Sequence, residues 1–79
     1  MKIQIEYFAL LKEQRGISIE TIETKAANPE ILYSDLKRQY SFSLEPSMLK
    51  LAVNEDFANW DYSLKDGDTV VFIPPVAGG

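Results

Sequence analysis

The segment from Leu64 to Gly79 constrains the fold more than any other part of this 79-residue chain. Near its start lies Asp66-Gly67-Asp68, and these residue types suit a tight turn. An apolar strand is predicted next, from Thr69 to Ile73. Pro74-Pro75 follows, and because proline has no N–H to donate to a sheet, strand pairing must finish at or just after residue 73.

The chain therefore divides into a predicted domain, residues 1–73, and an extended C-terminal tail, residues 74–79. The tail consists of Pro74, Pro75, Val76, Ala77, Gly78 and Gly79, none of which has a charged side chain. Its prolines favour an extended exit, and its Gly-Gly end is narrow because glycine lacks a Cβ. At about 3 Å per residue it reaches roughly 18 Å, which is long enough to enter another protein's active site.

The α-carboxylate of Gly79 is the reactive group at the tip of this tail. A lone terminal Gly-Gly is otherwise explained as an incidental flexible end. The preceding strand, turn and Pro-Pro pair favour insertion into a partner instead. The tail is therefore predicted to insert through Pro74, Pro75, Val76, Ala77 and Gly78, with the chemistry at Gly79.

The residue inventory excludes several kinds of site. The chain has no cysteine, so it cannot form a disulfide, a thiolate metal site or a persulfide. It has no histidine, which removes the usual general base and the commonest metal ligand. If the chain carries sulfur covalently, the terminal carboxylate is the plausible attachment point.

Charge and hydropathy narrow the possible partners. The formal net charge is −4, and the eight basic residues are scattered, whereas a nucleic-acid binder needs a basic patch. No apolar run approaches membrane-spanning length, and the N-terminus lacks a signal-peptide pattern. We expect a cytoplasmic protein that binds neither nucleic acid nor membrane.

The first strand and a short helix are predicted from the N-terminal sequence. Ile3, Ile5 and Tyr7 alternate with polar residues, which is the period of a half-buried strand. The stretch 9–14 favours a helix of one or two turns, which ends at Gly16.

A second strand is predicted over residues 17–24. Ile17 and Ile19 are in phase and are assigned to its buried face. Ile22 is out of phase with them, so it either follows a bulge or faces outward.

The main helix is predicted to start at Asn28-Pro29. Asparagine is a favourable N-cap, proline suits the first helical position, and Glu30 complements the helix dipole. The predicted buried face consists of Ile31, Leu32, Leu36 and Tyr40.

The remaining elements complete an α+β pattern. A loop at residues 41–46 leads to a strand in which Leu49, Leu51 and Val53 alternate. A turn at residues 54–56 precedes a brief strand at residues 57–60. We predict one domain with a mixed sheet, one main helix packed on it, and Val70 and Phe72 buried beneath Leu32 and Leu36.

Two groups of carboxylates were weighed as sites. Asp66 and Asp68 flank a glycine, but a calcium loop needs further oxygen ligands at fixed spacing, so no metal site is predicted. Glu55, Asp56 and Asp61 lie around a turn and a short edge strand, where solvated charges are expected. Acid–base catalysis is not assigned to them.

Three apolar residues are displaced from the core faces of their strands: Phe8, Phe57 and Ile73. They either close a second small core or form an exposed patch at the root of the tail. An exposed apolar patch of this kind marks a protein interface.

The C-terminal sequence resembles that of a known family. The segment 64–68, then Val70, Phe72 and the ending Pro-Pro-Val-Ala-Gly-Gly, resembles the small sulfur-carrier subunit of molybdopterin synthase. The resemblance extends to Tyr7-Phe8-Ala9, Gly16 and residues 51–54. It covers nearly the whole chain, and the tail is its specific part.

The resemblance implies a ubiquitin-like β-grasp fold and a sulfur-carrier function. An adenylating, E1-like activating enzyme would use ATP to adenylate Gly79, and a sulfur donor would convert the adenylate to a thiocarboxylate. The thiocarboxylate would then enter the large synthase subunit and donate sulfur to the pyranopterin precursor. The resemblance further implies that the partners supply the catalytic side chains, that this chain binds no cofactor itself, and that its sheet meets the partners near Phe8, Phe57 and Ile73.

Two other uses of the tail remain open. A ubiquitin-like modifier would join Gly79 to target lysines through an isopeptide bond. A thiamin-pathway sulfur carrier is a further alternative, although its tail matches less closely.

Overall fold

A computed structural model describes residues 1–75 of the chain. The strands are β1 (Lys2–Tyr7), β2 (Ile19–Glu23), β3 (Lys50–Val53), β4 (Asp56–Phe57) and β5 (Thr69–Ile73). The helices are α1 (Ala9–Arg15) and α2 (Pro29–Tyr40), with a short 3-10 helix at Pro46–Met48.

The strands form one mixed sheet in the order β2-β1-β5-β3-β4. The two central strands, β1 and β5, are parallel, and the other neighbouring pairs are antiparallel. The predicted α+β architecture, with one main helix on a mixed sheet, is confirmed.

The core lies between the central strands and α2. Ile3, Ile5 and Val70 are completely inaccessible, and Phe72 is 0% exposed as predicted. The Phe72 ring lies 5.0 Å from that of Tyr33 on α2, measured between centroids. Both helices contribute to the same core cluster, since Leu11 of α1 and Leu32 and Leu36 of α2 belong to it.

The predicted inner face of β2 is wrong. Ile17 and Ile19 are 40% and 47% exposed, whereas Ile22 packs against the core opposite Ile3. The β1–β2 register is regular, without a bulge. Successive side chains of a strand point to opposite faces, so placing Ile22 inside turns Ile19 outward.

The start of α2 is as predicted, and its buried face is shifted. Asn28 caps the helix by accepting a hydrogen bond from the backbone N–H of Ile31 at 2.9 Å. Ile31 itself is 45% exposed, and Tyr33, which was not assigned to the core, is fully buried. A residue two positions further along the helix points about 200° away from the first, so Ile31 and Tyr33 cannot share a face.

The segment after β3 also differs from the prediction. Asn54 and Glu55 both have positive φ, 52° and 76°, as a two-residue hairpin of type I′ requires. The predicted strand over residues 57–60 shortens to β4, which ends at Phe57. Trp60 turns back into the core, and its ring stacks on that of Phe72 with 6.0 Å between centroids.

Candidate functional site

The root of the tail is the end of a central strand. β5 lies between β1 and β3 and ends at Ile73, where the prolines begin. Pro74 is half-buried and Pro75 is exposed. Because Val70 and Phe72 anchor β5 in the core, the point from which the tail leaves is fixed. The predictions for Val76, Ala77, Gly78 and Gly79 lie outside the described residues.

The sheet face opposite the helices carries a row of side chains that crosses all five strands. Registered pairs join Ile19 to Glu6, Glu6 to Val71, Val71 to Ala52 and Ala52 to Phe57. Residues directly opposite one another in a sheet project from the same face. We call this row, together with Ile73, the open face.

The three predicted interface residues are accessible to different degrees. Phe8 is 47% exposed, Phe57 is 77% exposed, and Ile73 is half-buried. Phe8 follows Tyr7, whose strand partner Phe72 precedes Ile73, so Phe8 and Ile73 lie at the same end of the central strands. That they form an interface remains a prediction.

Lys50 links Phe57 to this end of the sheet. It pairs with Ile73 across β3 and β5, and its Nζ lies 5.9 Å from the centroid of the Phe57 ring. This distance is within the range of a cation–π contact. The side chains of Phe57, Lys50 and Ile73 therefore form a continuous surface beside the tail root.

Two exposed apolar residues were missed by the sequence analysis: Ile19 on the open face and Met48 at the tail root. Ile19 was assigned to the core, although its phase conflicts with that of Ile22, and in a strand without a bulge only one of the two can face inward. Met48 is 53% exposed and lines a groove of about 450 Å³ at the tail root. The groove is completed by Ser47, Leu49, Lys50, Ile73, Pro74 and Pro75. A methionine just before a strand gives no sequence signal for this position.

The Asp66-Gly67-Asp68 segment is a turn, as predicted. An Asp66 carboxylate oxygen accepts a hydrogen bond from the Lys2 backbone N–H at 2.6 Å, and Gly67 has φ of 89°. The buried Asp68 carboxylate accepts from the Asn54 side-chain amide and the Lys65 backbone N–H, each at 2.8 Å. Both carboxylates thus act within the fold, where they hold β5 in register.

The carboxylate of Glu20 joins three elements behind Phe8. It accepts hydrogen bonds from the Tyr7 hydroxyl at 2.7 Å and from two nitrogens of Arg15 at 2.9 and 2.8 Å. The Arg15 guanidinium also lies 4.1 Å from the centroid of the Tyr40 ring on α2. This network ties the end of α1 to β1 and β2, and so fixes the corner that presents Phe8.

The network changes the acidity of its members. The Arg15 hydrogen bonds, with a further contribution from Tyr7, lower the pKa of Glu20 against the opposing effect of burial. Burial, together with the Glu20 hydrogen bond, raises the pKa of Tyr7. Glu20 is therefore ionised and Tyr7 neutral at neutral pH.

Glu20→Gln is expected to destabilise the protein by about 2 kcal/mol near pH 7, because it removes charge-assisted hydrogen bonds. The folded-state pKa of Glu20 is lowered, so its contribution is present above the unfolded pKa of about 4.3 and is lost as the pH falls through the folded-state value. Urea unfolding at about pH 7 and about pH 3 measures this change. Glu23→Gln, at a carboxylate 71% exposed, is the control. A Glu20→Gln effect that is equal at both pH values would contradict the assignment.

The other acidic residues considered in the sequence are solvated. Glu55, Asp56 and Asp61 are all exposed, on or beside the β3–β4 turn.

No helix within residues 1–75 combines the length and the hydropathy that crossing a membrane demands.

Comparisons with known proteins agree with this geometry. Residues 5–79 match the ThiS family. The molybdopterin synthase sulfur carrier subunit of Escherichia coli (strain K12) is 32% identical over 80 residues, covering 98% of this chain and 99% of that protein. The protein of the same name from Haemophilus influenzae is 28% identical, with the same coverage.

A solved complex shows the same fold. This structure is the complex of subunits 1 and 2 of molybdopterin-converting factor from Helicobacter pylori 26695. One of its chains is 26% identical to this chain and superposes on it with a TM-score of 0.70, and the match covers 100% of each of these two chains. The architecture is thus the ubiquitin-like β-grasp that the family resemblance implied. Because the family model matches the chain along nearly its full length, the chain belongs to the ThiS family.

Proposed function

We propose that this chain is the sulfur-carrier subunit of a molybdopterin synthase. The observation that carries the proposal is the Pro-Pro-Val-Ala-Gly-Gly ending attached to the central strand of the sheet, in a ThiS-family chain. The names of the relatives from Escherichia coli and Haemophilus influenzae support it.

The proposed chemistry takes place at the Gly79 carboxylate. A carboxylate is a poor electrophile, so the activating enzyme first joins it to the AMP part of ATP and releases pyrophosphate. A sulfur donor then attacks the carbonyl carbon of this mixed anhydride, AMP leaves, and a thiocarboxylate remains. In this proposal ATP binds to the activating enzyme and not to this chain. We further propose that the reaction takes place in the cytoplasm.

The body of the protein holds this reagent in place. Docking of the folded domain on the large subunit converts sulfur delivery from a bimolecular encounter into an effectively intramolecular step. The fixed exit of the tail at Ile73 sets the point from which the thiocarboxylate reaches the pyranopterin precursor. Within this scheme the chain supplies the tethered sulfur, and the large subunit supplies the catalytic side chains.

Reconstitution tests the proposal. The chain is incubated with its cognate activating enzyme, ATP and a sulfide source, and then with the large subunit and the pyranopterin precursor. We expect an intact mass in which sulfur replaces one oxygen, followed by precursor conversion and loss of that sulfur. Conjugates between Gly79 and lysines of other proteins, without precursor conversion, would instead support a protein modifier.

Phe57→Asp is expected to weaken binding of the large subunit by roughly 30-fold, the effect of losing an aromatic anchor at an interface. Since Phe57 is 77% exposed, the free energy of unfolding should change by less than about 0.5 kcal/mol. Titration calorimetry measures the affinity. Ile31→Asp, at an exposed apolar position on α2, is the matched control. Unfolding of the Phe57 variant would show that this ring belongs to the core.

A further inference from the structure

Glu6 places a carboxylate on the open face, on β1 between the edge strand β2 and the central strand β5. Its neighbours in the row are Ile19 on one side and Val71 on the other, and the row continues to Ala52 and Phe57. Ile73 is two residues beyond Val71 on the same strand face. Glu6 is half-buried, with an apolar side chain opposite it on each neighbouring strand and the polar side chain of Gln4 two residues away on its own strand.

No described residue neutralises Glu6. The ion pairs within residues 1–75 use the carboxylates of Glu20, Glu23, Asp35 and Glu45. The nearby polar groups of Gln4 and Thr69 bond to each other at 3.2 Å. Lys50, the basic residue of this region, is directed to the Phe57 ring.

The surface around Glu6 is negative. Glu6 lines a depression of about 550 Å³ together with Gln4, Asn54, Glu55, Thr69 and Val71. Glu55 adds a second carboxylate to this lining, and neither lysine nor arginine contributes to it. The Asn54 side chain already serves Asp68 and the Thr69 backbone.

An apolar partner that covered this surface would remove water from the Glu6 carboxylate and offer no hydrogen bond or cation in its place. Burial of an ionised carboxylate is unfavourable unless the group is paired and hydrogen-bonded. A partner that covers the open face therefore has to supply a cation at this position.

We propose that Glu6 is a specificity-determining residue, which pairs with an arginine or lysine that the large subunit presents to the open face at β1. This inference rests on the proposed function, because it takes the open face as the docking surface. The ion pair rejects proteins that offer an uninterrupted apolar surface, since they would leave the carboxylate desolvated and unpaired.

The first test compares two variants that lose one negative charge each. Glu6→Gln is expected to weaken binding of the cognate large subunit roughly 30-fold, the effect of removing one member of a desolvated ion pair. Glu30→Gln, at an exposed residue of α2, gives the same net charge and should change the affinity less than about twofold. Thermal unfolding of both variants checks that each is folded.

The second test is Glu6→Leu, which distinguishes a basic partner group from an apolar one. It should weaken binding of the large subunit if the partner group is basic and strengthen it if that group is apolar. If the large subunit presented an apolar surface to Glu6, leucine would bind more tightly than the wild type. Tighter binding of Glu6→Leu, or unchanged binding of Glu6→Gln, would overturn the inference.

A charge exchange locates the partner group. Glu6→Arg should bind poorly, and changing one basic residue of the large subunit to glutamate should restore its affinity. Failure of every basic residue at that interface to restore binding would also overturn the inference.

Phe57→Asp tests the docking surface separately from the ion pair. If Phe57→Asp weakens binding while Glu6→Gln does not, the docking surface stands and the ion pair is wrong. If Phe57→Asp binds as tightly as the wild type, the open face is not the docking surface and the inference fails. The proposed function fails only if the wild-type chain acquires no sulfur or converts no precursor in the reconstitution.

Discussion

Deleting Gly79 is expected to abolish thiocarboxylate formation while leaving the melting temperature unchanged. The shortened chain still ends in glycine, but its carboxylate lies about 3 Å short of the activating site, far outside the tolerance of a reacting pair. Adding one residue after Gly79 displaces the carboxylate by a similar distance and adds a side chain, so it should also abolish the reaction.

A mixed incubation gives this experiment an internal control. Wild-type and shortened chains differ by the mass of one glycine, so both can be followed in one tube with the activating enzyme, ATP and sulfide. Intact-mass spectrometry should show the sulfur-for-oxygen exchange in the wild-type chain alone. Equal conversion of the two chains would exclude the Gly79 terminus as the site.

Phe72→Ala is expected to cost about 3–5 kcal/mol of unfolding free energy. The Phe72 ring is fully buried between the rings of Tyr33 and Trp60, with centroid distances of 5.0 and 6.0 Å. Native proteins are stable by only about 5–15 kcal/mol in total, so the substitution should remove a large share of the stability and lower the melting temperature clearly.

Phe57→Ala provides the matched control, because the same ring is removed from the surface. It should cost less than about 0.5 kcal/mol. Urea unfolding of both variants measures the difference. A cost below about 1 kcal/mol for Phe72→Ala would show that β5 does not pass through the core.

Elements with consistent local signals were predicted well from the sequence. β1 alternates cleanly, β5 is an apolar run bounded by a turn and by Pro-Pro, and Asn28-Pro29 starts α2 where the cap chemistry requires. Gly16 ends α1 with φ of 89°, a conformation that glycine adopts readily. In each case the residue types alone determine the geometry.

The phase of β2 could not be predicted because a charged residue faces inward. Pattern analysis assigns Glu20 to solvent, whereas its carboxylate is held by Arg15 and the Tyr7 hydroxyl. These partners come from other elements, and only the folded chain brings them together. Once Glu20 faces inward, Ile22 must follow it and Ile19 must face outward.

Tertiary contacts also decided the loops and the candidate site. Phe42 lies in a segment predicted as a loop, yet it is buried and its ring stacks on that of Tyr33 at 5.8 Å. The exposure of Phe8 and Phe57 follows from their positions at a helix start and on an edge strand. From the sequence, these residues are only seen to be displaced from the core faces of their strands. That observation fits a second small core as well as it fits an exposed patch.

The pairing of the first strand with the last has a consequence for protein synthesis. Gln4 and Thr69 are registered neighbours although they are 65 residues apart in sequence, and β2 is attached to the sheet only through β1. Such distant contacts are slow to form and require nearly the whole chain. Because the ribosome releases a chain from its N-terminus, the sheet has no central strand to complete it until residues 69–73 have emerged. A product truncated before β5 therefore lacks the strand that joins β1 to β3, and we expect it to stay unfolded. Folding thus requires translation almost to the tail in which the proposed function places the chemistry.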